Sequence, residues 1–287
     1  LAFSILIIAA LLITWRTLKI SYNMNETVVS IDSKITITRD ENGIPRIDAS
    51  TYDDIYFALG YIHAKDRLDL IELNRGLSTG NSSSFITVKN EGALFDALSR
   101  TIGFTRKADE IIASLSDDHI KLLESYCAGI NHIRSGRPSS YLHPADWTPR
   151  DVISVLLMKE WCNSFLNNPE LAINISSSVK KTPGVKLPGK KYTHYYSESE
   201  ASNLNTIRRI KSLIEKYTGY FNRGLSLYID SALDKTGSNN YSTFTYYDHY
   251  SSYPGWYPVK ILINNTSIDT ITFSGMPFMF AYKNSFF

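Results

Sequence analysis

Cysteine is almost missing from this chain: there are two in 287 residues, Cys127 and Cys162. They lie in separate apolar stretches of helical character and form no metal-ligand spacing. A cysteine-bound metal is therefore not indicated, and two buried thiols fit better than a disulfide. An excess of one charge is missing too. Thirty basic residues face 28 acidic ones, for a net charge of +2. That balance lacks the electrostatic footprint of a nucleic-acid-binding protein. What remains is globular: 43% hydrophobic and 20% charged residues, enough for one or two cores. Aromatic residues make up 13%, with 19 Tyr and 13 Phe, and many of the tyrosines lie beyond residue 190. Such a bias fits β-rich packing or a pocket for aromatic groups.

The most apolar run comes first. Residues 1–15 read LAFSILIIAALLITW, without a charge, followed by Arg16 and Lys19. The run is apolar on every face and shorter than the ~20 residues of a full membrane span. No small-x-small cleavage site follows it, which favours an uncleaved anchor over a removed signal peptide. Residues 1–19 are thus read as a signal-anchor or transmembrane segment, touching the membrane through residues 1–15. Arg16 and Lys19, taken alone, argue for a cytoplasmic C-terminal side.

Residues 28–47 alternate in β-like steps, with Ile35 and Ile37 on one face and Thr36 and Thr38 on the other. Asp40-Glu41-Asn42-Gly43 is a turn signal, so a hairpin is expected. A helix start follows, with Ser50 or Thr51 as cap and Asp53 and Asp54 complementing the helix dipole. Ile55, Leu59, Ile62, Leu68, Ile71 and Leu73 carry helical spacing through to Gly76 or Gly80. Within it, His63 reads as a structural histidine rather than a catalyst. Asp66, Arg67, Glu72 and Arg75 read as one partly buried ion-pair network that fixes packing. Thr148-Pro149 starts a further helix, running from residue 151 to about 165.

Several of these pieces, taken together, resemble one family. They are Arg39-Asp40-Glu41-Asn42-Gly43-Ile44-Pro45-Arg46-Ile47, then Asp53-Asp54, then GYIHAKDRLDLIELNRGLSTG at residues 60–80. Arg100-Thr101-Ile102-Gly103, SYCAGIN at residues 125–131 and Pro144-Ala145-Asp146-Trp147-Thr148-Pro149 continue in order. The set resembles the start of the penicillin acylase family of N-terminal-nucleophile amidohydrolases, over residues 28–170. The resemblance implies an α+β fold: an N-terminal-nucleophile αββα four-layer sandwich, incomplete here, with a mostly helical first half and short strands at the C-terminal end. It also implies an acyl-side substrate pocket near Trp161 and Phe165, for which a core role is an equal alternative. Glu170 is the nearest match to one calcium-ligand carboxylate. A single Glu cannot hold calcium, which takes six to eight oxygens.

The same resemblance divides the chain into an α-subunit-like region at 28–179, a spacer or pro-segment at 180–237, and the start of a catalytic β-subunit-like region at 238–287. Lys180, Lys181, Lys186, Lys190 and Lys191 with Pro183 and Pro188 read as an exposed linker. Residues 197–230 then look like one amphipathic helix. The spacer ends at Gly237-Ser238-Asn239-Asn240-Tyr241, which by itself is turn chemistry. In the family, a Gly-Ser-Asn-Asn-Trp site like this one is cut by its own serine. Ser238 would attack the Gly237 carbonyl, and the freed Ser238 would use its own α-amino group, with a pKa near ~7.7–8.0, as base. A Gly-x-Ser-x-Gly elbow is then not required.

His249 is the histidine nearest that site. Trp256-Tyr257, the strand-like residues 259–263 and 268–273, and Ser274-Gly275-Met276-Pro277 resemble the opening of the catalytic subunit. Phe280-Ala281-Tyr282-Lys283-Asn284 resembles its Phe-Gly-His-Asn step with the Gly-His pair replaced. The oxyanion donor, a supporting Asn and an Arg are expected from sequence after residue 287. The remainder of the catalytic subunit is therefore an expected partner, and this stretch alone is expected to be inactive. The implied activity is hydrolysis of a small-molecule amide, releasing an acyl chain from an amine. The protein would be membrane-anchored and face the periplasm or cell exterior, as an exported member would. The alternative is a degenerate, non-catalytic membrane-anchored protein.

Overall fold

A computed structural model of the chain describes residues 25–29, 34–86, 90–137, 145–167, 198–218, 225–229, 242–246 and 255–284. The N-terminal strands are β1 (Asn25–Val29), β2 (Lys34–Arg39) and β3 (Pro45–Asp48). The described helices follow: α1 (Tyr52–Thr79), α2 (Glu91–Ile102), α3 (Phe104–Ile112), α4 (Asp117–Arg134), α5 (Pro149–Asn167) and α6 (Glu198–Tyr217). The chain then gives β4 (Leu225–Ile229), β5 (Ser242–Tyr246), β6 (Trp256–Ile263), β7 (Thr266–Phe273) and β8 (Met276–Asn284).

Six strands form one sheet in the order β1-β2-β3-β6-β7-β8. Its neighbours are antiparallel except at the centre, where β3 and β6 run parallel, with Ile47 opposite Ile261. The N-terminal strands and β6–β8 from the C-terminal end therefore share a single sheet. The expected turn joins β2 to β3. Asp40 Oδ1 accepts the N–H groups of Asn42 at 3.0 Å and Ile44 at 2.9 Å, and Gly43 adopts φ 77°. Between β6 and β7, Asn264 and Asn265 both take positive φ, the pairing that a two-residue hairpin turn requires.

Alternation sets the faces. Ile35, Ile37, Ile47, Val259, Ile261 and Ile263 are buried, whereas Thr36, Arg46, Asp48 and Pro258 are exposed. The buried face packs under α1, α4 and α5 in one continuous core. The described residues thus form an α+β structure with a mostly helical first half and strands at its C-terminal end. One helical layer covers one face of the sheet.

α1 lies in the middle of this core. Thr51 caps it by accepting the Asp54 N–H at 3.2 Å, and Gly80 ends it at φ 72°. Arg67 departs from helical geometry, at φ −144° and ψ 39°, and kinks the helix midway. α4 crosses α1 at two glycines, Gly60 and Gly129, where backbone meets backbone. Cys127 and Cys162 are both buried and unbridged, as expected.

The expectation of one helix over residues 197–230 is corrected. α6 stops at Tyr217, and Leu225–Ile229 is a strand paired antiparallel with Ser242–Tyr246. Gly219 and Gly224 punctuate the stretch, and Leu225-Ser226-Leu227-Tyr228-Ile229 alternates with the strand period of two rather than 3.6.

Candidate active site

Among the described residues, buried polar groups gather between helices and sheet on both sides of the α1 kink. On the N-terminal side, His63 is fully buried and bridges helices and sheet. Its Nδ1 lies 2.8 Å from the Tyr126 hydroxyl and its Nε2 2.9 Å from Thr272 Oγ1. Thr272 Oγ1 donates to the Tyr257 carbonyl at 3.1 Å, so it accepts from His63, and Nε2 carries the proton. Nδ1 then accepts from Tyr126. The chain of bonds joins α1, α4, β6 and β7 and fixes a neutral imidazole, with Tyr257 packed edge-on at 4.8 Å. This is the structural role expected of His63.

Burial, with Arg67 as a further cause, pushes the His63 imidazole down to about 3. The unfolded chain binds this proton near 6.5, the ordinary value for histidine, and the folded one only near 3. The stability that neutral His63 contributes is therefore complete above pH 6.5 and lost as pH falls toward 3, by up to about 1.4 kcal/mol per pH unit. In a His63→Gln variant this share of the acid slope should vanish. Urea midpoints at pH 7 and pH 5 measure it, and identical slopes in the two proteins would refute it.

Next to this chain, Tyr257 donates its hydroxyl to Asp66, and Arg39 Nη2 reaches Asp66 Oδ1 at 3.0 Å. Arg67 Nη1 donates to the Trp256 carbonyl at 2.7 Å, and its guanidinium lies 5.0 Å from the centre of the Tyr257 ring. These groups and the β2–β3 turn line an open cleft of about 550 Å³. Burial, then Asp66, raises the Tyr257 phenol well above its usual range.

Beyond the kink the partners change. Glu72 accepts from Trp147 Nε1 at 2.8 Å and lies 2.8 Å from Arg134 Nε, an ion contact rather than an aligned hydrogen bond. Arg75 donates to the carbonyls of Ala145 at 2.8 Å and Asp146 at 2.7 Å, and to Asp151 Oδ2 at 3.1 Å. Asp151 also receives the Thr148 N–H at 2.9 Å, half of a capping box at the start of α5. The expected single network of Asp66, Arg67, Glu72 and Arg75 is therefore two. Asp66 and Arg67 serve the sheet, whereas Glu72 and Arg75 hold the Ala145-Asp146-Trp147-Thr148 segment. The kink between them and the rotation along the helix send the two pairs to different neighbours.

Near the end of α5, Trp161 and Phe165 stack at 5.0 Å with an interplanar angle of 21°, and Phe104 meets Trp161 edge-on at 6.2 Å. Both are half-buried against a second apolar cluster that includes Leu77, Phe95, Met158 and the last turn of α6. Gly237, Ser238, His249 and Glu170 lie outside the described residues, as does the apolar run at 1–15. Gly237 and Ser238 fall in sequence between paired β4 and β5. Among the described residues, no helix is long and apolar enough to cross a membrane, and no cluster of three or more His, Cys, Asp or Glu could hold a metal ion. Sequence reasoning passed over Lys159, a buried cation whose only signal was its position inside the apolar run of α5, and Tyr126, the hydroxyl that completes the His63 chain.

Residues 34–242 match the family model described as penicillin amidase. The chain belongs to the penicillin amidase family. It is similar to the penicillin acylase 2 proenzyme of Pseudomonas sp. strain SE83, at 31% identity over 137 residues covering 45% of this chain and 17% of that protein. It is also similar to the acyl-homoserine lactone acylase QuiP of Pseudomonas aeruginosa, at 28% identity over 163 residues covering 54% of this chain and 18% of that one. Among solved structures, a thermostable penicillin G acylase from Alcaligenes faecalis matches 54% of this chain and 97% of that chain, with 20% identity and a TM-score of 0.37. The chain thus spans less than a fifth of the length of the curated relatives it matches.

Proposed function

We propose that this chain is part of an amidohydrolase that releases an acyl chain from an amine through Ser238, freed by self-cleavage at Gly237–Ser238. The observation that carries this reading is the extent of the family match. It runs to residue 242 and so includes Gly237-Ser238-Asn239-Asn240-Tyr241. In the uncut chain, Ser238 Oγ attacks the Gly237 carbonyl, the amide becomes an ester as its nitrogen takes a proton, and water opens the ester. The new α-amino group then accepts the Ser238 hydroxyl proton when the substrate amide is attacked.

An acyl group beside Trp161 and Phe165 suits their stacked rings. The activity needs the remainder of the catalytic subunit, because one oxyanion donor alone is worth roughly 10²–10³ in rate. Calcium would need ligands near Glu170 and elsewhere, and no step of the reaction runs through it. Anchoring through residues 1–15, with the body facing the periplasm or cell exterior, completes the reading.

In the full-length gene product, intact mass spectrometry should find a fragment beginning at Ser238, and the Ser238→Ala variant should stay uncut and inactive on acyl amides. An uncut wild-type protein, or a Ser238→Ala variant cut at the same bond, would overturn the proposal.

A further inference from the structure

α6 falls within residues 180–237, the stretch expected to be a discarded spacer, yet its last turn is packed as core. Leu213, Ile214 and Tyr217 are buried, and they close the apolar cluster formed by Leu77 of α1, Phe95 of α2, Phe104 of α3 and Met158 of α5. Two polar ties hold the same turn. Lys216 Nζ lies 2.8 Å from Glu91 Oε2 at the start of α2, and the Tyr217 hydroxyl donates to the same oxygen.

The third tie comes from beneath. Lys159 on α5 is 2% exposed, and its ammonium donates to the Thr218 carbonyl, directly after the end of α6. A cation at a helix C-terminus complements the unsatisfied carbonyls and the negative end of the helix dipole. The ammonium also sits 4.8 Å from the centre of the Phe273 ring, so it touches β7 as well as α6. Burial pushes the Lys159 amine down to about 7. With α6 taken away, that cation would keep the ring face but lose its carbonyl acceptor, and the apolar cluster would open to water.

We propose that α6 is a permanent part of the mature body and that the piece discarded on processing begins after Thr218. This rests on the proposed cleavage at Gly237–Ser238, but it concerns where the upstream chain ends, a separate observable. With α6 retained, its last turn is a standing wall of the apolar cluster beside Trp161 and Phe165, and Ile210 of α6 packs against the same cluster.

Intact mass measurement of the processed, full-length protein tests it. The upstream chain should end beyond Thr218, and a folded, processed protein whose upstream chain ends before Glu198 would overturn the proposal. Should cleavage at Gly237–Ser238 not occur, a second arm still decides. Protease recognition sequences introduced within 186–191 and within 219–224 free α6 as a separate peptide. The freed helix should co-elute with the body on native size exclusion, and Ile214→Glu should abolish that co-elution. Loss of the helix from a body that stays folded without that substitution would refute its retention.

Discussion

Gly129→Ala is expected to destabilise the protein by about 3–5 kcal/mol, a large share of the stability of an ordinary domain. The direction is opposite to intrinsic propensity. In a helix interior, Ala is better than Gly by about 1 kcal/mol, so an unobstructed site would gain from the change. Here the added Cβ would stand 2.0 Å from the Phe57 carbonyl oxygen and 2.7 Å from the Tyr61 nitrogen. Those are backbone atoms of α1, and no rotamer change moves them aside. The contact is reciprocal: a Cβ on Gly60 would meet the Tyr126 carbonyl oxygen at 2.0 Å. Relief requires the two helices to separate along their length. That would stretch the bond between His63 and Tyr126 and the contact between Glu72 and Arg134, each of which spans the same pair of helices. Gly136→Ala is the matched control, because its Cβ meets nothing closer than Ile133 O at 3.7 Å. Urea denaturation of the three proteins checks the argument; a Gly129→Ala midpoint close to wild type would refute the backbone contact.

Local chemistry made much of the fold readable in advance. The β2–β3 turn follows from Asp40 and Gly43, the start of α5 from Thr148 and Pro149, and the bounds of α1 from Ser50 or Thr51 and from Gly76 or Gly80, between which the structure selects Thr51 and Gly80. Each is decided by one or two residues and their own backbone. What was not readable depends on a partner far along the chain. SYCAGIN contains a glycine, but nothing local says that Gly129 must face Phe57 of another helix. Likewise, four charged residues on α1 look alike in sequence, and only the kink at Arg67 sends Asp66 to Arg39 and Tyr257 while Glu72 goes to Arg134 and Trp147.

The candidate site divides along the same line. Trp161 and Phe165 are four residues apart, so their stacking on one helix face is a local result. Lys159 belongs to the opposite case. A lysine amid apolar neighbours reads as a surface interruption until Thr218 and Phe273 are seen to enclose it. The assignment of Ser238 rests on the ordered motifs and the family match rather than on local geometry, because turn residues such as Gly237-Ser238 have many uses.

Glu72→Ala should cost about as much as the glycine change, roughly 3–5 kcal/mol, for an electrostatic rather than a steric reason. The Glu72 side chain is 1% exposed and the Arg134 side chain 5%, so their charges meet in a low-dielectric interior. Glu72 also accepts from Trp147 Nε1, which would lose that acceptor. Asp146, the other carboxylate on Arg134, is 83% exposed on its side chain and well screened by water. It cannot replace the lost buried charge. Three variants separate the contributions. Glu72→Gln keeps an acceptor for Trp147 and removes the charge, so its loss should be intermediate. Arg134→Met alone strands the carboxylate and should be as harmful as Glu72→Ala. Glu72→Leu combined with Arg134→Met removes both charges, and should be more stable than either single loss, since an apolar pair of similar volume avoids the desolvation of two ions. A double variant that merely summed the two single losses would show that Glu72 and Arg134 act independently, and would refute the buried pair as the element tying α1 to α4.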